Sequence, residues 1–147
     1  MSTEHDREML RANGLRATEP RLAVLAVVRD HQHLMADEVA DGVRRRLGSI
    51  SRQTIYDVLA VLTEAHILRR VIVQGRGSHY EIDADDNHHH VWCWRCGKFE
   101  DVSCPVGSAP CLSPSTDTGF RIDVADVVYR GLCPACQDVE NNLEKGQ

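Results

Sequence analysis

Apolar residues in the first 65 positions recur at helical spacing and then give way to alternation. Residues about 4–13 predict a short helix ending at Asn13-Gly14. Thr18 then has the character of an N-cap, with Glu19 and Pro20 in the first turn. Leu22, Leu25, Ala26 and Val28 give this second helix an apolar face until about Asp30. A third helix covers about Ala36–Leu47, with Val39 and Val43 inward and Gly48 as its stop. Arg44, Arg45 and Arg46 lie near its C-terminus, where cations suit the helix dipole. Ser51 caps a fourth helix, about Arg52–Ala65, whose Ile55, Val58, Leu59 and Leu62 form one apolar stripe.

The period then changes. LRRVIVQ (68–74) and SHYEID (78–83) are β-like and flank Gly75-Arg76-Gly77, which is a hairpin signature. A polar, acidic stretch at Asp83–Asp86 follows. Beyond it, strands are predicted at about His88–Trp94, Lys98–Val102 and Arg121–Tyr129. Residues 103–119 hold three prolines and two glycines and read as loop, with at most one helical turn. The polar tail after Cys136 is expected to fray. The fold class is therefore α+β. A winged helix-turn-helix occupies 1–83, a hinge 84–87, and a small α/β domain 88–147.

The net charge of −5 argues against nucleic acid, but its distribution argues for it. Residues 1–70 hold 11 Arg and no Lys against 10 acids, and Arg suits planar and phosphate contacts. Residues 71–147 hold 6 basic and 12 acidic residues and every cysteine. The two halves thus predict two functions. No apolar run approaches the roughly 20 residues of a membrane span, and the polar N-terminus has no signal core, so a cytoplasmic protein is expected.

Arg52, Gln53, Thr54 and Tyr56 fall at the exposed start of the fourth helix, just after Ser51. In a helix-turn-helix, such positions reach base edges in the major groove. An ordinary solvated helix start is the competing reading.

Cys93-Trp-Arg-Cys96 and Cys133-Pro-Ala-Cys136 are paired C-x-x-C knuckles. Four thiolates satisfy the tetrahedral preference of Zn²⁺, and a closed Cys₄ shell is structural. The 36 intervening residues exceed the spacing of compact zinc ribbons, but strands beside both knuckles can bring them together. Cys104 and Cys111 are left over, read either as small half-buried residues or as a redox pair. Strand alternation puts His88, His90, Trp92 and Trp94 on one side, and His89, Val91 and Cys93 on the other. His88 and His90 then form half a metal site, with Glu100 and Asp101 offering carboxylates.

GLRATEPRLAVL (14–25), SRQTIYDVL (51–59), NHHHVWCWRCGKFEDV (87–102) and GLCPAC (131–136) together carry a family resemblance. The chain resembles the ferric uptake regulator family over about residues 8–137, closest to its actinobacterial branch of peroxide-responsive repressors of catalase-peroxidase genes. The resemblance implies a homodimer that binds a double-stranded, A/T-rich, inverted-repeat operator. It implies structural Zn²⁺ on Cys93, Cys96, Cys133 and Cys136, and regulatory Fe²⁺ or Mn²⁺ on His33, Glu81, His88, His90 and Asp101. His33 and His88 would be the peroxide-oxidised pair, Arg16 would enter an A·T-rich minor groove and Arg21 would contact backbone. Asp101 matches the peroxide sensors, whereas Glu81 matches the iron sensors. A third family site would be absent or altered, because its positions hold His89 and Ala125. Asp57 stands where iron sensors have Arg, so base contacts there must differ.

Three alternatives are kept open. An iron-responsive repressor would use the same ligands, and a thiol-redox regulator would use the cysteines. A zinc enzyme or storage protein is the third, but a closed Cys₄ site has no open position and no nucleophile–base pair is apparent. The chain is therefore not expected to be an enzyme.

Overall fold

A computed structural model describes residues 3–73, 75–84 and 86–146. The chain forms two compact units, Met1–Ala84 and Asp85–Gln147. The predicted strand end at Gln74 and the predicted hinge residue Asp85 lie outside the described residues, as do Met1, Ser2 and Gln147.

The first unit contains α1 (Thr3–Ala12), α2 (Glu19–Asp30), β1 (Leu34–Met35), α3 (Ala36–Leu47), α4 (Arg52–Glu64), β2 (Leu68–Val73) and β3 (Gly77–Ile82). Thr18 Oγ1 accepts from the Arg21 amide at 3.4 Å, and Ser51 Oγ accepts from the Thr54 amide at 3.1 Å. Both predicted caps thus satisfy amides that the helix itself leaves unpaired. Gly48 ends α3 at φ +82°, a conformation that a side chain would strain. Val24 and Leu25 of α2, Val39 and Val43 of α3, Leu59 and Leu62 of α4 and Leu68 of β2 meet in one buried core. Each such aliphatic residue contributes about 1.5–3 kcal/mol by leaving water. Arg29 donates to both oxygens of the buried Asp6 carboxylate, at 2.9 and 2.6 Å, and so pins α1 to α2.

The predicted hairpin is in fact part of a three-stranded antiparallel sheet in the order β1-β3-β2. β1 was not foreseen. Two residues are too few to carry a period, and β1 exists only because Leu34 pairs with Tyr80 and Met35 with His79.

The second unit contains β4 (His88–Cys93), β5 (Phe99–Ser103), β6 (Val128–Gly131) and α5 (Pro134–Lys145). The sheet order is β5-β4-β6, antiparallel on the first side and parallel on the second. Two expectations are corrected here. The strand predicted over Arg121–Tyr129 begins only at Val128, because β4 pairs with just four residues, from His90 with Val128 to Cys93 with Gly131. Upstream of these, Arg121 forms a local ion pair with Asp123 at 3.0 Å instead of joining the ladder. The tail expected to fray is the helix α5. Pro134 occupies its first turn, where a missing amide hydrogen costs no bond. Gln137 Nε2 donates to Leu132 O at 2.8 Å, and Cys136 is buried. Among the described residues, 103–119 contain no helical turn, and no helix is long and apolar enough to cross a membrane.

α3 approaches α2 closely at Gly42, where an added Cβ would lie 2.7 Å from Val27 Cγ1. Overpacking costs about 1–3 kcal/mol, against about 1 kcal/mol of helix propensity gained on replacing glycine. Gly42→Ala should therefore lower stability by about 1 kcal/mol in urea denaturation. A stabilised variant would mean that the two helices separate freely.

Candidate metal centres

The β4–β5 connection and the start of α5 bring the two C-x-x-C knuckles together. One sulfur from each of Cys93, Cys96, Cys133 and Cys136 lies within 4.8 Å of the others. Cys96 Sγ and Cys133 Sγ are 3.7 Å apart. A tetrahedral ion with bonds of about 2.3 Å to sulfur sets that edge at roughly 3.8 Å, which the Cys96–Cys133 pair matches. Local backbone prepares one of the four thiols. The Cys96 amide donates to Cys93 Sγ at 3.4 Å and, against the effect of burial and with help from the Cys133 and Arg95 amides, brings that thiol down to about 6. Cys136 is pushed up to about 12, first by its hydrogen bond to Cys133, then by burial and by the Cys93 and Cys96 sulfurs. Four thiolates cannot be charged this close together without a cation, and a divalent ion supplies one.

β4 carries the histidines, and its alternation separates them by face. Antiparallel pairing sets His90 opposite Asp101 of β5, with Nε2 3.4 Å from Asp101 Oδ1. His88, two residues earlier on the same face, has Nε2 3.7 Å from the same oxygen. The two rings meet edge to face at 4.8 Å, and His88 Nδ1 lies 2.7 Å from Asp86 Oδ1. Asp101 is thus the carboxylate of this set. Glu100 projects elsewhere and pairs with Lys98 at 3.1 Å. Trp94 lies beyond the end of β4, so the alternation does not extend to it.

In the first unit, His33 Nε2 and Glu81 Oε2 are 2.9 Å apart. Glu81 is buried in β3 opposite Arg69 of β2, whose Nε lies 3.9 Å from Oε1. His33 takes φ +68° and donates its amide to Tyr80 O at 2.9 Å. This left-handed conformation costs a non-glycine residue about 1–3 kcal/mol. Gln32 helps to hold it, because its Oε1 accepts from the Ile82 amide at 2.9 Å.

The predicted DNA-reading residues sit at the start of α4. Ser51, Arg52, Gln53 and Tyr56 are exposed, and Thr54 is half-buried. Ser51 Oγ caps the helix, Gln53 Nε2 donates to Asp57 Oδ1 at 2.8 Å, and Arg52 Nε lies 3.6 Å from Asp37. Asp57 therefore orients Gln53. Arg16 is exposed, and its carbonyl accepts from Arg21 Nη1 at 2.9 Å. Sequence reasoning missed one cluster, formed by His89, Cys104 and Cys111. Its signal was the turn of His89 toward the face opposite His88 and His90.

Residues 12–129 match the ferric uptake regulator family. The chain belongs to the ferric uptake regulator family. Ferric uptake regulation protein 1 of Mycolicibacterium fortuitum is 50% identical over 131 residues, which cover 89% of this chain and 81% of the relative. Transcriptional regulator FurA of Mycobacterium tuberculosis is 46% identical over 129 residues, 88% of each chain. The crystal structure of the Campylobacter jejuni peroxide stress regulator matches with a TM-score of 0.64 at 26% identity, covering 88% of this chain and 97% of that one. Membership makes the chain a metal-dependent transcriptional regulator rather than an enzyme.

Because Cys136 starts protonated at neutral pH, Zn²⁺ uptake should release protons, and affinity should fall as pH drops toward about 6, where Cys93 also becomes protonated. A pH indicator during titration checks the release. Chelating the ion should unfold the second unit, since such sites contribute on the order of 10 kcal/mol or more to folding. Survival of the β-sheet signal after complete zinc removal would contradict this.

Proposed function

We propose that the protein is a homodimeric, cytoplasmic repressor that binds an A/T-rich inverted-repeat operator when Fe²⁺ or Mn²⁺ occupies a regulatory site, and that it releases the operator on exposure to peroxide. The supporting observation is a second donor set, distinct from the Cys₄ set, with imidazole and carboxylate on each unit: His33 with Glu81, and His88 and His90 with Asp101. Mixed N/O donors suit Fe²⁺ and Mn²⁺ better than thiolates do.

The two units have different tasks in this reading. The first presents Arg52, Gln53, Thr54 and Tyr56 to base edges, with Ser51 fixing the helix start and Arg16 and Arg21 on minor groove and backbone. The second exposes Phe120, Val124, Tyr129 and Leu143, apolar surface suited to a second copy of the chain. The family resemblance assigns one regulatory ion to His33, Glu81, His88, His90 and Asp101. Its differential affinity would shift the dimer toward the DNA-competent state. Iron bound there would catalyse the reduction of H₂O₂ by two electrons taken from one neighbouring histidine ring, with one peroxide oxygen replacing the ring carbon's bond to hydrogen to give C–OH and the other leaving as water. Oxygen added to His33 or His88 weakens their ligation, and the bias toward the operator is lost. The expected targets are oxidative-stress genes such as catalase-peroxidase.

Glu81 favours a second reading, an iron-responsive repressor of iron-homeostasis genes, because the iron sensors carry that acid. Gel shifts with Mn²⁺, with Fe²⁺, and with Fe²⁺ plus peroxide separate the two. A peroxide sensor loses DNA in the last case only, with one oxygen gained on a peptide containing His33 or His88. Retention of DNA would leave the iron-responsive reading.

His90→Ala should weaken operator binding in Mn²⁺ by about 5–150-fold, the usual range of a coupling between sites, while zinc content and the folded signal stay unchanged. Metal-independent binding by the unaltered chain would overturn both readings. Arg52→Ala should cost about 1–3 kcal/mol at one base position, read as relaxed preference there in competition with altered operators. A uniform loss across all operators would instead make it a phosphate contact.

A further inference from the structure

The segment 104–127, between β5 and β6, has 24 residues and no helix or strand. Loops this long without internal structure are uncommon in compact domains and are usually functional or linker segments. Two of its residues return to β4. Cys111 Sγ lies 3.1 Å from His89 Nε2, on the strand face opposite His88 and His90. Cys104 joins them, and one donor atom from each of the three lies within 4.8 Å of the others. Among the described residues this set is separate from the four cysteines of the knuckles and shares no residue with the N/O donors.

Local donors favour anionic sulfur at Cys104, whereas burial and the neighbouring Cys104 push the Cys111 thiol up. The Gly107 amide donates to Cys104 Sγ at 3.4 Å. The side chain of Asn87 borders both sulfurs and draws both thiols down. The cluster contains no acidic side chain, so its donors are soft and borderline: two thiols and one imidazole. An ion bonded at about 2.0 Å to nitrogen and about 2.3 Å to sulfur sets a tetrahedral N···S edge near 3.5 Å. The observed pair therefore needs to open by only a few tenths of an ångström. Val127 donates its amide to His89 Nδ1 at 3.4 Å, which puts the neutral ring's proton on Nε2, facing Cys111. Coordination at Nε2 moves that proton to Nδ1, gives up this long hydrogen bond and releases the thiol protons to solvent.

We propose that His89, Cys104 and Cys111 form a third metal site, for a thiophilic cation of the zinc class, with one coordination position left to solvent. Two thiolates and an imidazole select against Fe²⁺ and Mn²⁺ and in favour of Zn²⁺, for which Co²⁺ is a spectroscopic substitute. An ion here cross-links the 104–127 loop to β4. The site stands independently of the peroxide and iron readings above.

The test uses the full chain, purified without oxygen, with the Cys₄ site already filled by Zn²⁺. Adding Co²⁺ should produce a thiolate-to-cobalt charge-transfer band, because the N/O donor set has no sulfur to give one. The double variant Cys104→Ser, Cys111→Ser should lose that band and one equivalent of bound metal, yet keep its Cys₄ zinc and helical signal. His89→Ala should keep a sulfur band but weaken cobalt affinity at least tenfold. Absence of the band in the unaltered chain, or its persistence in the double variant, overturns the proposal. Recovery of the anaerobic chain with Cys104 and Cys111 joined, two hydrogens lighter, would also overturn it and make the pair a redox couple.

Discussion

Side chains along an extended strand point alternately to opposite faces, and in β4 that rule sorts donor atoms by chemistry. His88 and His90 meet the Asp101 carboxylate on one face. His89 meets the Cys111 sulfur on the other, and Cys93 at the strand end joins the knuckle cysteines. Three adjacent histidines would otherwise compete for any ion nearby. Separation by face keeps nitrogen with oxygen in one place and with sulfur in another, so the strand presents two donor sets of different hardness. A one-residue slip of β4 would exchange the faces and mix the sets. Pairing on both sides of the strand, with β5 and β6, resists that slip.

The two units are stabilised by different means. The first has a continuous aliphatic core drawn from four helices and the sheet. In the second, the buried apolar residues among those described are Trp92, Cys93 and Cys136, and two of these are knuckle cysteines. So little apolar burial cannot offset the conformational entropy of ordering some 60 residues. Metal cross-links and a partner surface are the available substitutes, and the exposed Phe120, Val124 and Leu143 fit the second of these. Ion binding at the knuckles and burial of this surface would each stabilise the second unit by mass action.

The start of α4 has little slack. Ser51 is committed to the helix cap, and Gln53 is held by Asp57. The Asp57 carboxylate holds the Gln53 amide in one orientation. His33, in its left-handed backbone conformation, is fixed in the same way by its bond to Tyr80 and its neighbour's bond to Ile82.

The helices, their caps at Thr18 and Ser51, the wing strands and the knuckle pairing were legible in the sequence, because each depends on residues a few positions apart. Periodicity, capping chemistry and C-x-x-C spacing are local signals. The gathering of His88 and His90 with Asp101 was half legible: alternation put the rings on one face, but only strand register chose Asp101 over Glu100. β1, the late start of β6 and the return of Cys104 and Cys111 to His89 were decided by tertiary structure alone, whereas α5 has a local start at Pro134. A two-residue strand exists only beside its partner, a free strand edge ends where its neighbour ends, and the path of a 24-residue loop depends on what it meets. None of these conditions is written in the residues that obey them, because a contact between distant segments belongs to the folded chain as a whole.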